Sequence, residues 1–252
     1  MSYKPGIIIQ ARTGSSRLPD KVVRPFYKGR SILEILIDRF NNRAEYKLVV
    51  ATTTEPGDDT ICEICKREGV PCFRGSVENV LERFYMASSE FMIDPVVRVC
   101  SDNPFLLQSS PTELIEEFRK EKVDYIGYEL SGNRIGIRTH FGLWSELLSR
   151  DAMRKILKST SEKSYLEHVT NYLYDQNDKF RIIFLNAPDT VYSREDIRLT
   201  IDSESDFLLG KRIYEKYFNS NIELRLDTLI ALIDGNHDWK NEMKKCIGQN
   251  EK

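Results

Sequence analysis

Gly6-Ile7-Ile8-Ile9-Gln10-Ala11-Arg12-Thr13-Gly14-Ser15-Ser16-Arg17-Leu18-Pro19-Asp20-Lys21 is the stretch that sets the fold class. Its unbroken apolar run reads as a strand covered on both faces. The run passes directly into a loop of small residues carrying three cations, Arg12, Arg17 and Lys21. Open α/β sheets place ligands at the carboxyl ends of their strands, and this loop follows such an end. Thr13, Gly14, Ser15 and Ser16 are small enough for backbone N–H groups to turn toward an anion. A triphosphate needs that combination, because donors must offset charge that shifts onto a leaving pyrophosphate. The GxxxxGK[ST] spacing of a P-loop is absent. On residue type alone, a basic surface turn stands as the alternative.

Outward from this loop, strand and helix patterns alternate. Residues 31–41 read as a helix with a capping box, Ser31 followed three positions later by Glu34. Residues 47–52 read as a strand, 58–68 as a helix, 70–73 as a strand and 77–91 as a helix. A strand over 95–100 and a helix over 111–121 complete the series. Strands separated by helices of this length imply right-handed βαβ crossovers and a mostly parallel sheet. After Asp124 the pattern loosens. A strand over 124–128 leads to a turn at Ser131-Gly132-Asn133, and 135–147 holds one strand or two. Helices are expected over 150–158 and 163–174, strands over 180–185 and 198–201, then helices over 203–218 and 225–234. No internal repeat or linker divides the chain, so one domain spanning 1–252, with an inserted lobe in its second half, is expected.

Composition narrows the function classes. The 252 residues are 40% hydrophobic and 30% charged, with a formal net charge of −2. Such a balanced surface gives no basic field for nucleic acid. No apolar run reaches membrane-span length and no basic-then-apolar leader pattern opens the sequence, so a cytoplasmic protein without membrane association is expected. The five cysteines are scattered, as suits reduced thiols. Cys62, Cys65 and Cys72 admit a zinc reading, but the CxxC falls on an expected helix with no fourth ligand nearby.

Five ordered blocks resemble the sugar-acid cytidylyltransferases, the superfamily that makes CMP-Kdo and CMP-sialic acids, and within it a branch named after a spore-coat polysaccharide biosynthesis protein. The first is Ile9-Gln10-Ala11-Arg12, Gly14-Ser15, Arg17-Leu18-Pro19 and Lys21. The second is Arg74-Gly75-Ser76 with Asn79-Val80-Leu81 and Arg83. Val97-Arg98-Val99 with Ser101-Asp102-Asn103-Pro104 is the third, and Glu167-His168-Val169-Thr170 with Tyr172 the fourth. Arg198-Leu199-Thr200-Ile201-Asp202 with Asp206-Phe207 closes the set.

The resemblance implies a Rossmann-like nucleotidyltransferase fold. It also implies CMP transfer from CTP to a sugar-like acceptor, with magnesium held by Asp102 and Asp202. A hard cation favours carboxylate oxygens, which suits that pair. Without the resemblance, Asp102 reads as a turn residue before Asn103-Pro104, and Asp202 as a neighbour of the N-cap Ser203. Catalysis would then rest on Arg12, Lys21, Asp102 and Asp202. Gln10, Ala11, Arg12, Gly14, Ser15, Arg17, Lys21, Arg74, Ser76 and Asp102 would surround the nucleotide. Arg83 falls among the family's base contacts, with a helix-face ion pair to Glu78 or Glu82 as the alternative. Glu167 and His168 are expected at the acceptor, and His168 alternatively as a partly buried structural residue. Relatives often form two-fold dimers.

Three departures bear on function. Asp20 stands where relatives usually carry glycine, and Ser101 replaces a glycine before Asp102. Residues 136–144 carry Arg138 and His140 where many relatives have an acidic pair, so a carboxylate- or phosphate-bearing acceptor is expected to contact them. The same residues also fit a plain amphipathic strand with Arg138 and His140 in solvent. A GTP-dependent enzyme, a nucleotide-sugar glycosyltransferase and a silent nucleotide-binding paralogue are the competing readings. Asp102 followed by Asn103-Pro104 lacks the acid-x-acid pattern of the glycosyltransferase.

Overall fold

The computed structural model describes residues 3–41, 43–220 and 222–249. The first half runs β1 (Lys4–Gln10), a small hairpin of β2 (Pro25–Tyr27) and β3 (Arg30–Ser31), α1 (Ile32–Phe40), β4 (Lys47–Thr53) and α2 (Asp59–Glu68). It continues with β5 (Cys72–Gly75), α3 (Val80–Glu90), β6 (Ile93–Cys100) and α4 (Ser110–Lys120). The second half holds β7 (Tyr125–Leu130), β8 (Arg134–Ile135), β9 (Glu146–Leu148), α5 (Arg150–Ser159), α6 (Lys163–Glu167) and α7 (Asn171–Asp175). It ends with β10 (Ile182–Asn186), α8 (Asp189–Tyr192), α9 (Glu204–Phe218), α10 (Leu226–Asp234) and α11 (His237–Gln249).

The main sheet has the order β10-β7-β9-β6-β1-β4-β5, with β8 paired to β7. β1 pairs in parallel with β4 and β6, β4 with β5, and β7 with β10. β9 runs against both of its neighbours, β6 and β7. This is the expected α/β class with a mostly parallel sheet. Helices cover both faces, which is why β1 is apolar without interruption from Ile7 to Ile9. Ile7 and Ile9 enter one core cluster and Ile8 the other, all three fully buried. Each contributes roughly 1.5–3 kcal/mol by leaving water. α1 opens with the capping box read from sequence: Ser31 Oγ accepts from Glu34 N, and the Glu34 carboxylate accepts from Ser31 N at 2.7 Å.

Departures from expectation gather in the second half. Residues 163–174 form two short helices, because the chain leaves helical geometry at His168 (ψ 82°) and turns Val169 and Thr170 into the core. Residues 198–201 are not a strand. The Leu199 and Thr200 N–H groups both reach His140 O, and Ile201 N donates to Asp102 O at 2.9 Å. Residues 135–147 split into β8, a 3-10 turn over Gly136–Arg138 and β9, so the amphipathic-strand reading fails. The last helix is α11, not α10; Trp239 and Met243 bury its inner side.

Parallel pairing brings Gln10, Thr53, Gly75 and Cys100 to one edge of the sheet. Because β9 runs the other way, its first residue, Glu146, lies near that edge, beside Arg98.

Candidate active site

The loop after β1 hangs on Thr13. Its carbonyl accepts from Ser15 N (2.8 Å) and from Asp20 N (2.9 Å), closing the loop into a ring. Asp20 lies at φ 59°, in the left-handed region that glycine enters at no steric cost. Ser15 Oγ accepts from Leu18 N, and Gly14 is exposed with open space around its α-carbon. Ala11 is buried and donates to Ala51 O.

The cations of this loop meet the two aspartates. Lys21 Nζ lies 3.1 Å from Asp102 and 3.9 Å from Asp202, and donates to Ile201 O at 2.5 Å. Arg17 reaches Asp202 at 2.9 Å. Behind Asp202, Arg198 pairs with it at 3.2 Å and with Asp206 at 2.6 Å. Burial pushes the Asp206 carboxyl up, but the Arg198 bonds outweigh it and hold it below the usual carboxylate range. A single ammonium is thus ion-paired with both Asp102 and Asp202. Two hard oxygens from different segments suit magnesium, which takes its remaining ligands from phosphates and water.

Asp102 faces a second space. A cavity of ≈ 670 Å³ opens beside it, walled by Arg98, Asn103, Arg138, Trp144, His168 and Asn171 among others. Arg138 lies over the Tyr174 ring, 4.6 Å from its centroid, and donates to Asn171 Oδ1. Arg98 is held from behind by Gln10 Oε1 (3.2 Å) and by the buried Glu146 carboxylate. Tyr125 and Tyr174 hydroxyls also reach Glu146, at 2.8 and 3.3 Å. His168, exposed at the end of α6, lines the same cavity, so the buried structural reading of it fails. Gly142, at φ 61°, leaves room that a methyl would take from Asn103 Oδ1, 2.7 Å away.

Other expected site residues fall elsewhere. His140 is not in the cavity wall; its Nδ1 meets Arg198 Nη1 at 2.5 Å, so it buttresses the aspartate cluster. Arg12 and Glu167 face each other at 3.8 Å across the loop and α6. Arg74 directs its guanidinium to Thr53 O, Glu55 O and Asp59. Ser76 Oγ accepts from Asn79 N, and its carbonyl accepts from Arg83. Arg83 is fully buried, with Nε and Nη2 lacking partners, and makes no ion pair to Glu78 or Glu82 among the described residues. Burial, then the neighbouring Arg12, pushes its pKa down to about 10. Cys62 and Cys72 lie 3.4 Å apart as thiols, and no group of three or more His, Cys, Asp or Glu among the described residues is arranged for a metal.

The cytidylyltransferase family matches residues 6–239, nearly the whole chain. This protein belongs to the cytidylyltransferase family. The enzyme is 32% identical over 241 residues to the spore coat polysaccharide biosynthesis protein SpsF of Bacillus subtilis, covering 93% of this chain and 96% of that one. It is 38% identical over 235 residues to an uncharacterized protein of Methanocaldococcus jannaschii, covering 93% and 92%. A solved cytidylyltransferase from Leptospira borgpetersenii superposes with a TM-score of 0.79 at 27% identity, covering 94% of this chain and 96% of that one. A CMP-2-keto-3-deoxy-manno-octonic acid synthetase solved with CTP superposes with a TM-score of 0.62 at 14% identity, covering 84% and 98%, and so shares the fold. The enzyme is therefore a nucleotidyltransferase of this superfamily, and no helix among the described residues is long and apolar enough to cross a membrane.

The sequence gives no sign that Arg98 and Glu146 form a unit, although Arg98 lies in the Val97-Arg98-Val99 block. Nothing in the local pattern pairs it with a residue 48 positions away. Asp58 reads in the sequence only as the start of the helix over 58–68, not as the buried partner of Thr13.

Proposed function

We propose that the enzyme transfers CMP from CTP to an anionic sugar-like acceptor, releasing pyrophosphate, in the synthesis of an activated precursor for a surface glycan. The observation that carries this is Asp102: it contacts Lys21 of the phosphate loop on one side and walls the ≈ 670 Å³ cavity on the other. A nucleotide on the loop and an acceptor in the cavity would meet there.

In this reading Arg12, Arg17, Lys21 and the loop N–H groups hold the triphosphate. Gly14 and Ser15 let the backbone approach it. Arg17 and Lys21 exchange their present carboxylate partners for phosphate oxygens and steady the departing charge. Asp102 and Asp202 would hold magnesium, which supplies screening of the α-phosphate when bound. Arg98 and Arg138 orient a carboxylate or phosphate of the acceptor, and His168 and Asn171 offer polar contacts beside them. An acceptor oxygen attacks the α-phosphorus in line, and the bond to the bridging oxygen breaks.

The test is pyrophosphate release with each of the four nucleoside triphosphates against acidic sugars, sugar phosphates and neutral polyols. CTP with an acidic or phosphorylated acceptor is expected to turn over. Turnover with GTP alone, or only with neutral polyols, would refute the assignment of base or acceptor. Asp102→Asn keeps size and loses charge, so turnover is expected to fall by orders of magnitude, about 10²-fold or more, with CTP binding modestly weaker. Wild-type rates in that variant at limiting magnesium would remove Asp102 from the site.

A further inference from the structure

Beneath the phosphate loop lies a carboxylate that the proposed chemistry does not use. Asp58 is 1% exposed and follows β4, on a short turn leading into α2. Its Oδ1 accepts from Thr13 N at 2.8 Å and from Thr13 Oγ1 at 2.7 Å. Its Oδ2 accepts from Thr52 Oγ1 (2.9 Å), Thr53 N (3.1 Å) and Thr53 Oγ1 (2.5 Å). Five donors converge on one buried carboxylate, and two of them come from Thr13, 45 residues upstream. Gly57 passes so close that an added β-carbon would stand 3.0 Å from Thr13 Oγ1.

Thr13 is the point from which the loop hangs, since its carbonyl closes the ring to Ser15 and Asp20. With its N–H and hydroxyl fixed on Asp58, every polar group of Thr13 is committed inward. The rest of the loop is thereby set before any ligand arrives. We propose that Asp58 is a positioning residue of the transferase: it pins Thr13 and so preorganises the loop that grips the polyphosphate. This rests on reading that loop as the polyphosphate cradle.

The role sets two physical effects against each other. A buried anion near a polyphosphate site repels the ligand, so electrostatics alone makes removal of the Asp58 charge tighten binding. Positioning makes the opposite change. Asp58→Asn leaves one acceptor oxygen for five donors and turns amide hydrogens against some of them, freeing Thr13 and loosening the loop.

The experiment is calorimetry of the full chain with inorganic pyrophosphate and, separately, with cytidine. Asp58→Asn and Thr13→Val are expected to weaken pyrophosphate binding about tenfold or more, with cytidine affinity changed less than about threefold. Thr13→Ser, which keeps the hydroxyl, is expected to bind pyrophosphate like wild type. Equal or tighter pyrophosphate binding in Thr13→Val overturns the proposal, whatever becomes of Asp58→Asn, as does a parallel loss of both ligands. Because pyrophosphate carries no base and needs no acceptor, the result stands apart from the nucleotide and acceptor chosen by the assay above. Wild type that binds pyrophosphate through this clamp yet turns over no CTP would sink the functional reading alone.

Discussion

Asp20 shows how one residue can look damaging in sequence and be tolerated in structure. It stands at φ 59°, where a side chain costs about 1 kcal/mol relative to glycine. Its backbone keeps the contacts that matter, with N–H to Thr13 O and carbonyl to Val23 and Arg24 N–H. Among ordinary residues Asp and Asn enter this region most readily, so the loop keeps its shape without glycine. What Asp20 adds is an exposed negative charge beside the proposed anion site. Asp20→Gly is therefore expected to tighten CTP binding about two- to fivefold and to leave the thermal midpoint within a few degrees of wild type. Titration of CTP at two salt concentrations checks it: the gain should shrink at high salt, and an unchanged affinity at low salt would show that the Asp20 charge is not felt by the ligand.

At the scale of elements, the parallel half of the fold was legible because its strands are largely apolar and its helices have amphipathic faces. The loop after β1 was legible for the same reason: its place follows from the strand before it. Less could be read where tertiary contacts decide. Residues 198–201 have the composition of a strand, but their N–H groups go to His140 and Asp102 carbonyls rather than to a neighbouring strand. Asp58 looks like the opening residue of α2, and no period in the sequence connects it to Thr13. His140 faces Arg198 rather than the cavity, while Gly142, two residues on, takes a left-handed backbone angle and packs against Asn103. That glycine gives a prediction of its own. Gly142→Ala places a methyl 2.7 Å from Asn103 Oδ1 in a backbone conformation that disfavours it. A loss of about 1–3 kcal/mol by chemical denaturation is expected, together with a raised acceptor KM and little change for CTP. Wild-type acceptor KM with the stability loss intact would separate this segment from acceptor binding.

The whole molecule is fastened by buried charges that sit below the usual carboxylate range. For Asp58, burial raises the pKa, but bonds from Thr53, Thr13 and Thr52 more than reverse it. Asp206 is lowered likewise by Arg198. A carboxylate whose pKa is lower folded than unfolded contributes stability above its unfolded value, about 4, and loses that contribution as pH falls through the folded value. The thermal midpoint is thus expected to stay level from pH 7 to about 5 and to fall below about 4. Midpoints measured across that range decide it; a fall beginning near pH 6.5 would show that these carboxylates do not set the acid limit.

β9 carries a different consequence, for synthesis on the ribosome. β5, β4, β1 and β6 are contiguous in the sheet and all lie before residue 101, so four parallel strands can assemble while the rest of the chain is still being made. The outer edge of β6 then has no partner until Glu146–Leu148 emerges and pairs against it. Asp202 arrives later still. The nascent chain therefore passes through a stage with a bare strand edge, the form most prone to pairing with another chain. It leaves that stage before its two aspartates can meet.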